Sequence, residues 1–258
     1  MFSWGRAQFK EHGAVVAVGL IGRVAWSRAK VTLANKFLPP TLQCPCCGWA
    51  GRRFYDYIEA GYTVRNAACP QCDSHSRHRA FYLWLQNEYG LEQKKGAALV
   101  FAPEKALAPL WQEATQLKLI RVDIADTRGV DLLANLETLP IASDSMDLIW
   151  CHHVLEHVEH DSQAIGELQR VLRHGVGDLV VSVPMEPGAT TREYGFADPR
   201  ESGHWRIYGD DFADRLAAKG LAVRPLAHDL SPQDCQRYGI TPERFYICRK
   251  NTAVRSAL

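Results

Sequence analysis

Short apolar runs of the buried-strand type recur along the later part of the chain: AALVFA at 97–102, KLIRVDI at 118–124, MDLIWCH at 146–152 and GDLVVSVPM at 177–185. LAVRPLA and RFYICRK, the latter at 244–250, complete the series. Such runs are too short for helices of the same burial and are bounded by turn residues. Between them lie stretches with apolar positions at helical spacing. In DSQAIGELQRVLR (161–173), Ala164, Ile165, Leu168, Val171 and Leu172 fall on one helical face. EKALAPLWQEAT reads as a helix bent at Pro109, and DDFADRLAAKG (210–220) as one closed by Gly220, a natural left-handed cap. Strands alternating with helices of this length build right-handed βαβ units. The pattern predicts an α/β domain with a parallel sheet over 95–252.

Upstream the pattern changes. FLPPTLQ (37–43) is a break, and RRFYDYI and YTVR are short β-type runs. RAFYLWLQNEY (79–89) has apolar residues at helical spacing and stops at Gly90, before the linker-like EQKKG. The chain is thus read as a helical lead segment over 1–40, a small module with a connecting helix over 41–92, and the α/β domain. Within the lead segment, AVVAVGLIGRVAW (14–26) has about 13 residues and is broken by Arg23. A bilayer span needs ~20, so no transmembrane helix is expected. Two readings remain: an amphipathic helix packed on the protein or lying weakly on a membrane surface, and a signal peptide with Arg6 and Lys10 ahead of the run. No small-x-small cleavage site follows.

Composition narrows the classes. Of 258 residues, 47% are apolar, enough for a substantial core and against disorder. With 30 basic and 29 acidic side chains the net charge is +1, which argues against a broad nucleic-acid footprint. Cysteines stand at 44, 46, 47, 69, 72, 151, 235 and 248. Five crowd into one short stretch, where a secreted disulfide scaffold would spread them. Cys44, Cys47, Cys69 and Cys72 form C-x2-C-x21-C-x2-C, two knuckles that supply four soft thiolates to a tetrahedral zinc. A zinc ribbon in a reducing, cytoplasmic compartment is expected. Cys46 could replace Cys44 or Cys47 only with poorer knuckle geometry. The DSHSRHR that follows (73–79) has two readings: Arg77 and Arg79 grip phosphates, or the stretch is a solvated helix start whose arginines tie the ribbon to the main domain.

MDLIWCHHVLEHVEHD (146–161) holds the pattern H-x-x-E-H at 153–157, which in isolation is the inverted zinc-protease signature. That chemistry needs His153 and His157 on one continuous helix. Here a buried-type strand runs straight into the motif and the amphipathic helix begins only at Asp161, so the motif is a strand–loop–helix joint. The run from Met146 through VLRHGVGDLVVSVP closely resembles the class I S-adenosylmethionine-dependent methyltransferases, in the type 11-like branch whose strand leads into HVLEHV. NLETLPIASDSMD before it resembles the branch's acidic-x-x-x-L-P-F loop, and GHWRIYGDDFADRLAAKGLAV its last helix. The resemblance covers about 95–250. It implies a Rossmann-like, seven-stranded sheet, mostly parallel with the last strand antiparallel. It departs from the family at the first strand, where VFAPEKAL replaces a glycine-rich loop, and at Asn135, where the family has Asp.

The resemblance implies a cofactor, S-adenosylmethionine, along the carboxyl ends of the strands. Phe101, Ala102, Pro103 and Glu104 would form the first corner, with Glu104 accepting from the cofactor's ammonium group. Asp123 would take the ribose hydroxyls, or serve only as a turn acid. Asn135 and Leu136 would meet the adenine, and Cys151 and His152 would stand near the sulfonium. His153 is the candidate general base, with a structural role as the alternative. Glu156 and His157 would orient the joint. His204, Arg206 and Tyr208 follow a long connection that could form a substrate lid, with His204 and Arg206 on an anionic acceptor. Three functions compete: methyl transfer to a small-molecule or glycan-like acceptor beside a structural ribbon, methylation of an RNA that the zinc module helps to bind, and a degenerate, non-catalytic scaffold.

Overall fold

The computed structural model describes residues 2–125 and 127–251. In chain order the elements are α1 (Phe2–Phe37), β1 (Leu42–Gln43), β2 (Ala50–Gly51), β3 (Tyr55–Ile58), β4 (Thr63–Ala68) and α2 (Ser76–Asn87). Then come β5 (Gly96–Phe101), α3 (Ala108–Glu113), β6 (Leu117–Asp123), β7 (Leu132–Leu133), β8 (Leu148–His152), α4 (Asp161–Val171) and β9 (Asp178–Ser182). The chain finishes with β10 (Arg192–Asp198), β11 (His204–Ile207), α5 (Phe212–Ala217), β12 (Leu221–Ala227), α6 (Pro232–Tyr238) and β13 (Arg244–Lys250). Two compact units divide it. The first takes residues up to Tyr89 together with 105–109 and 228–242; the second takes 90–104, 110–227 and the chain from Glu243 onward.

The second unit is built on a seven-stranded sheet in the order β12-β13-β9-β8-β5-β6-β7. β5 runs parallel to β6 and β8, β8 to β9, and β6 to β7. β13 is antiparallel to both β9 and β12. The strand order reverses between β5 and β8: β6 and β7 extend one way from β5, and β8 and β9 the other. At one face, Leu99, Ile149, Cys151, Leu179 and Val181 pack with Ala164, Ile165 and Leu168 of α4 and Phe212 and Leu216 of α5. At the other, Trp150 meets Trp111 of α3 edge-on at 5.7 Å. Full burial on both faces explains why β8 and β9 read as unbroken apolar runs. This is the expected α/β sheet with one strand set antiparallel.

The first unit holds two short hairpins, β1–β2 and β3–β4. α1 bends at Gly13, whose φ of 77° is non-helical. Leu20 and Val24 of α1 pack with Ile58 of β3. Ser27 Oγ donates to Asp56 Oδ2 at 2.9 Å, and Asn35 Oδ1 accepts from the N–H groups of Arg52 and Arg53, both at 2.8 Å. Among the described residues, no helix is long and apolar enough to cross a membrane.

Differences from the sequence reading have physical causes. The helix expected from Glu104 starts only at Ala108. Pro109 suits a first helical turn and blocks a continuation upstream of it. The long connection after β9 is partly a hairpin, β10 with β11. β10 is largely exposed, so no hydrophobic alternation marked it. α6 also went unread, although Ser231 caps it, Pro232 opens it and Gly239 closes it in a left-handed conformation.

Candidate functional site

Four thiols converge in the first unit. Cys44 Sγ lies 3.6 Å from Cys72 Sγ, and Cys47 Sγ lies 3.7 Å from Cys69 Sγ. All four sulfurs are within 4.8 Å of one another. A tetrahedron with arms of ~2.3 Å has edges of roughly 3.8 Å, so the donor set fits zinc. Without a cation, four such thiols cannot all ionise: the Cys46 hydrogen bond pulls Cys44 and Cys72 down, the latter to about 5, while burial raises Cys47 to about 11. Ser74 Oγ stands 3.1 Å from Cys44 Sγ, an outer partner for a thiolate. Cys46 is buried beside the group, its thiol turned to the His78 carbonyl at 3.9 Å. None of the eight cysteines is in a disulfide.

Arg79 does not face solvent. It is fully buried, stacked 4.1 Å over the Phe54 ring. Its guanidinium donates to the carbonyls of Ala67 (3.0 Å), Ser74, Tyr238 (2.7 Å) and Gly239 (2.7 Å). Arg79 is therefore not part of a solvated helix start, and all four of its acceptors belong to the first unit. A phosphate could reach it only after all four bonds broke.

In the second unit, the carboxyl ends of β5 and β8 flank the point where strand order reverses. Each strand is followed at once by a non-glycine residue in the left-handed region: Ala102 with φ of 44° and His153 with φ of 53°. Such angles cost about 1 kcal/mol or more for an L-residue, and the surrounding structure must impose them. Ala102 N–H donates to the Val122 carbonyl at 2.8 Å, and His153 N–H to the Ser182 carbonyl at 2.9 Å. Ala102 therefore takes this bend with only a methyl as its side chain.

The two corners touch. Glu104 Oε1 lies 3.5 Å from His152 Nε2, and the other ring nitrogen of His152 bonds Ser182 Oγ. His153 Nδ1 is 3.4 Å from Glu156 Oε1. Its Nε2 makes no hydrogen bond and stands 3.8 Å from Glu243 Oε2. Glu156 is 1% exposed. Asp123, ending β6, accepts from Ala125 N–H at 2.9 Å, so one oxygen already closes a turn. Asn135 does the same for Glu137 N–H at 2.9 Å and is otherwise exposed. Phe101, Leu136 and Cys151 face the core, where burial pushes the Cys151 thiol up. These three offer a ligand only their backbone. Asp126, three residues further on, lies outside the described residues.

The motif itself is a joint. β8 ends at His152, a single 3-10 turn covers Leu155–His157, and α4 starts at Asp161. His153 and His157 therefore share no continuous helix. Arg206 is buried and donates to the carbonyls of Leu155 (3.3 Å), Val158 and Glu159 (2.6 Å) and to Glu193 Oε2 (2.8 Å). Tyr208 is buried as well, its hydroxyl 3.1 Å from Asp161 Oδ2. These two side chains pin the β10–β11 hairpin to the joint instead of facing an acceptor. His204 meets His157 edge-on, ring centroids 4.7 Å apart. Burial first, then the neighbouring histidines, holds His204 at about 4. Ser182 went unnoticed in the sequence; its signal was a polar residue at the end of an otherwise apolar strand.

Residues 104–180 match a family model described as a methyltransferase domain. An uncharacterized 37.1 kDa protein in a transposon of Streptomyces fradiae is 34% identical over 95 residues, 37% of this chain. The match spans about a quarter, 26%, of that relative's length. Among solved structures, a putative sarcosine dimethylglycine methyltransferase from Galdieria sulphuraria aligns with 16% identity and a TM-score of 0.47, over 57% of this chain and 62% of that one. The 1,6-didemethyltoxoflavin-N1-methyltransferase of Burkholderia thailandensis aligns with 12% identity and a TM-score of 0.47, over 75% and 97%. The stretch over 104–180 is thus similar to a methyltransferase domain.

Proposed function

We propose that this chain is an S-adenosylmethionine-dependent methyltransferase acting on a small-molecule or glycan-like acceptor, with zinc held by Cys44, Cys47, Cys69 and Cys72 in a structural role. The observation that carries the reading is the pair of strained corners, Ala102 and His153, directly beyond the two strands at the switch in strand order. Ligands of doubly wound sheets bind at that crevice, and strain of this kind gathers at functional sites.

When bound, the cofactor supplies an electrophilic methyl group and its own leaving group. The protein aligns, excludes water and handles one proton. Glu104 would hold the cofactor's ammonium, Asp123 the ribose and Asn135 the adenine, with the backbone of Phe101, Leu136 and Cys151 lining the cleft. Pro103 stiffens the first corner. An N–H or O–H acceptor must lose a proton during transfer. His153 Nε2, unbonded, takes it, while Nδ1 faces Glu156, which fixes the ring. His152, held by Ser182 and Glu104, is a positioning residue. The balanced charge and the burial of Arg79 support a small acceptor over RNA. Eight unpaired cysteines support a reducing cytoplasm, and α1 supports weak attachment to a membrane surface.

Calorimetry with S-adenosylhomocysteine tests the reading. We expect measurable binding and a raised unfolding temperature. Asp123→Ala should weaken binding tenfold or more by removing charge-assisted bonds. No heat and no protection from unfolding would leave a non-catalytic scaffold. Tight, steeply salt-dependent RNA binding would point to the nucleic-acid enzyme instead.

A further inference from the structure

We propose a second metal centre, in the second unit, where Glu156, His157 and His204 bind a divalent transition-metal ion of the zinc class. One ligand atom from each of the three lies within 4.8 Å of the other two. They come from separate places in the chain. Glu156 and His157 sit on the 3-10 turn after β8, and His204 opens β11. The rings of His157 and His204 stand 82° apart, edge to face, so that a nitrogen of each can turn to one point. Two imidazoles and a carboxylate suit zinc-like ions better than calcium or magnesium, which prefer oxygen alone.

The supporting shell is in place. The His157 ring faces the Gly203 carbonyl, the kind of outer hydrogen bond that orients a ligating imidazole. His153 Nδ1, 3.4 Å from Glu156 Oε1, backs the carboxylate. Arg206, two residues beyond His204, clamps the carbonyls of Leu155, Val158 and Glu159 and so holds β11 against the ligand turn. Glu156 is buried, whereas His157 is open to solvent. Three protein donors with an open side leave a position for water or for a heteroatom of an acceptor. Any part the ion takes in methyl transfer rests on the function proposed above; the binding itself does not.

The test keeps zinc in the four-cysteine cluster and titrates the full chain with cobalt(II). We expect a second equivalent to bind with visible d–d bands but no thiolate charge-transfer band. His204→Ala and, separately, His157→Ala should each weaken that equivalent at least tenfold while the cluster keeps its zinc. His157 is exposed, so its replacement leaves the fold intact if His204→Ala does not. One metal per chain, or cobalt affinity unchanged in both variants, overturns the proposal. S-adenosylhomocysteine affinity, measured without cobalt, separates failure of this site from failure of the methyltransferase reading.

Discussion

His75 shows how one side chain couples this protein to pH. Its ring meets Tyr57 at 5.3 Å and His78 at 5.6 Å, and its backbone N–H donates to His78 Nδ1 at 3.0 Å. Burial, followed by the charges of Arg77, His78 and Arg79, holds the ring at about 4. An unfolded histidine titrates near 6.5. Between those values the unfolded chain binds a proton that the folded chain refuses. Stability contributed here is therefore complete above the unfolded value and declines as the pH drops towards about 4. We predict that His75→Asn removes on the order of 1–2 kcal/mol of that decline, read from denaturant midpoints at a series of pH values. Identical slopes in the two proteins would assign the effect elsewhere. At this scale the sequence was partly legible. Zinc spacing is a local pattern and could be read. The left-handed turn of Ala102 could not, because nothing in alanine asks for it; neighbours impose it.

Among the elements, strands buried on both faces announced themselves, since β5, β8 and β9 have few polar residues to interrupt the run. The β10–β11 hairpin and α6 did not, being short, exposed and held by single side chains such as Arg206. α1 was legible in substance but not in detail. Ala17, Leu20, Val24 and Val31 are buried on one side. Val15, Val18, Trp26, Leu33 and Phe37, at helical steps, form an exposed ridge on the other. Lys30 and Lys36 lie over the rings of Trp26 and Phe37, and no acidic residue occurs from Gly13 to Tyr55. A cationic, apolar ridge complements an anionic bilayer surface. We predict co-sedimentation with phosphatidylserine-containing vesicles, reduced several-fold by Trp26→Glu and by high salt. Equal recovery with neutral vesicles, or no effect of the substitution, would remove the membrane from the account.

For the whole molecule, the sequence pattern placed the cysteine module in one continuous stretch, 41–92. The compact unit that holds it also takes in 105–109 and 228–242. That arrangement depends on long-range bonds that no local pattern announces. The zinc prediction belongs here: elemental analysis should find about one zinc per chain, and Cys69→Ser should release it and unfold the ribbon. Metal retained by that variant would reject the ligand set.

Arg79 donates to Gly239, 160 residues further on, and the left-handed Gly239 leaves no room for a side chain beside Phe54. A chain leaving the ribosome cannot finish its first unit until the 160 residues beyond Arg79 have also been made. Until then the guanidinium waits with two of its carbonyl acceptors unmade. The knuckles can capture metal early, but the mature packing around them arrives last. A fragment cut near residue 92 would carry the same handicap permanently, which argues for expressing this protein whole.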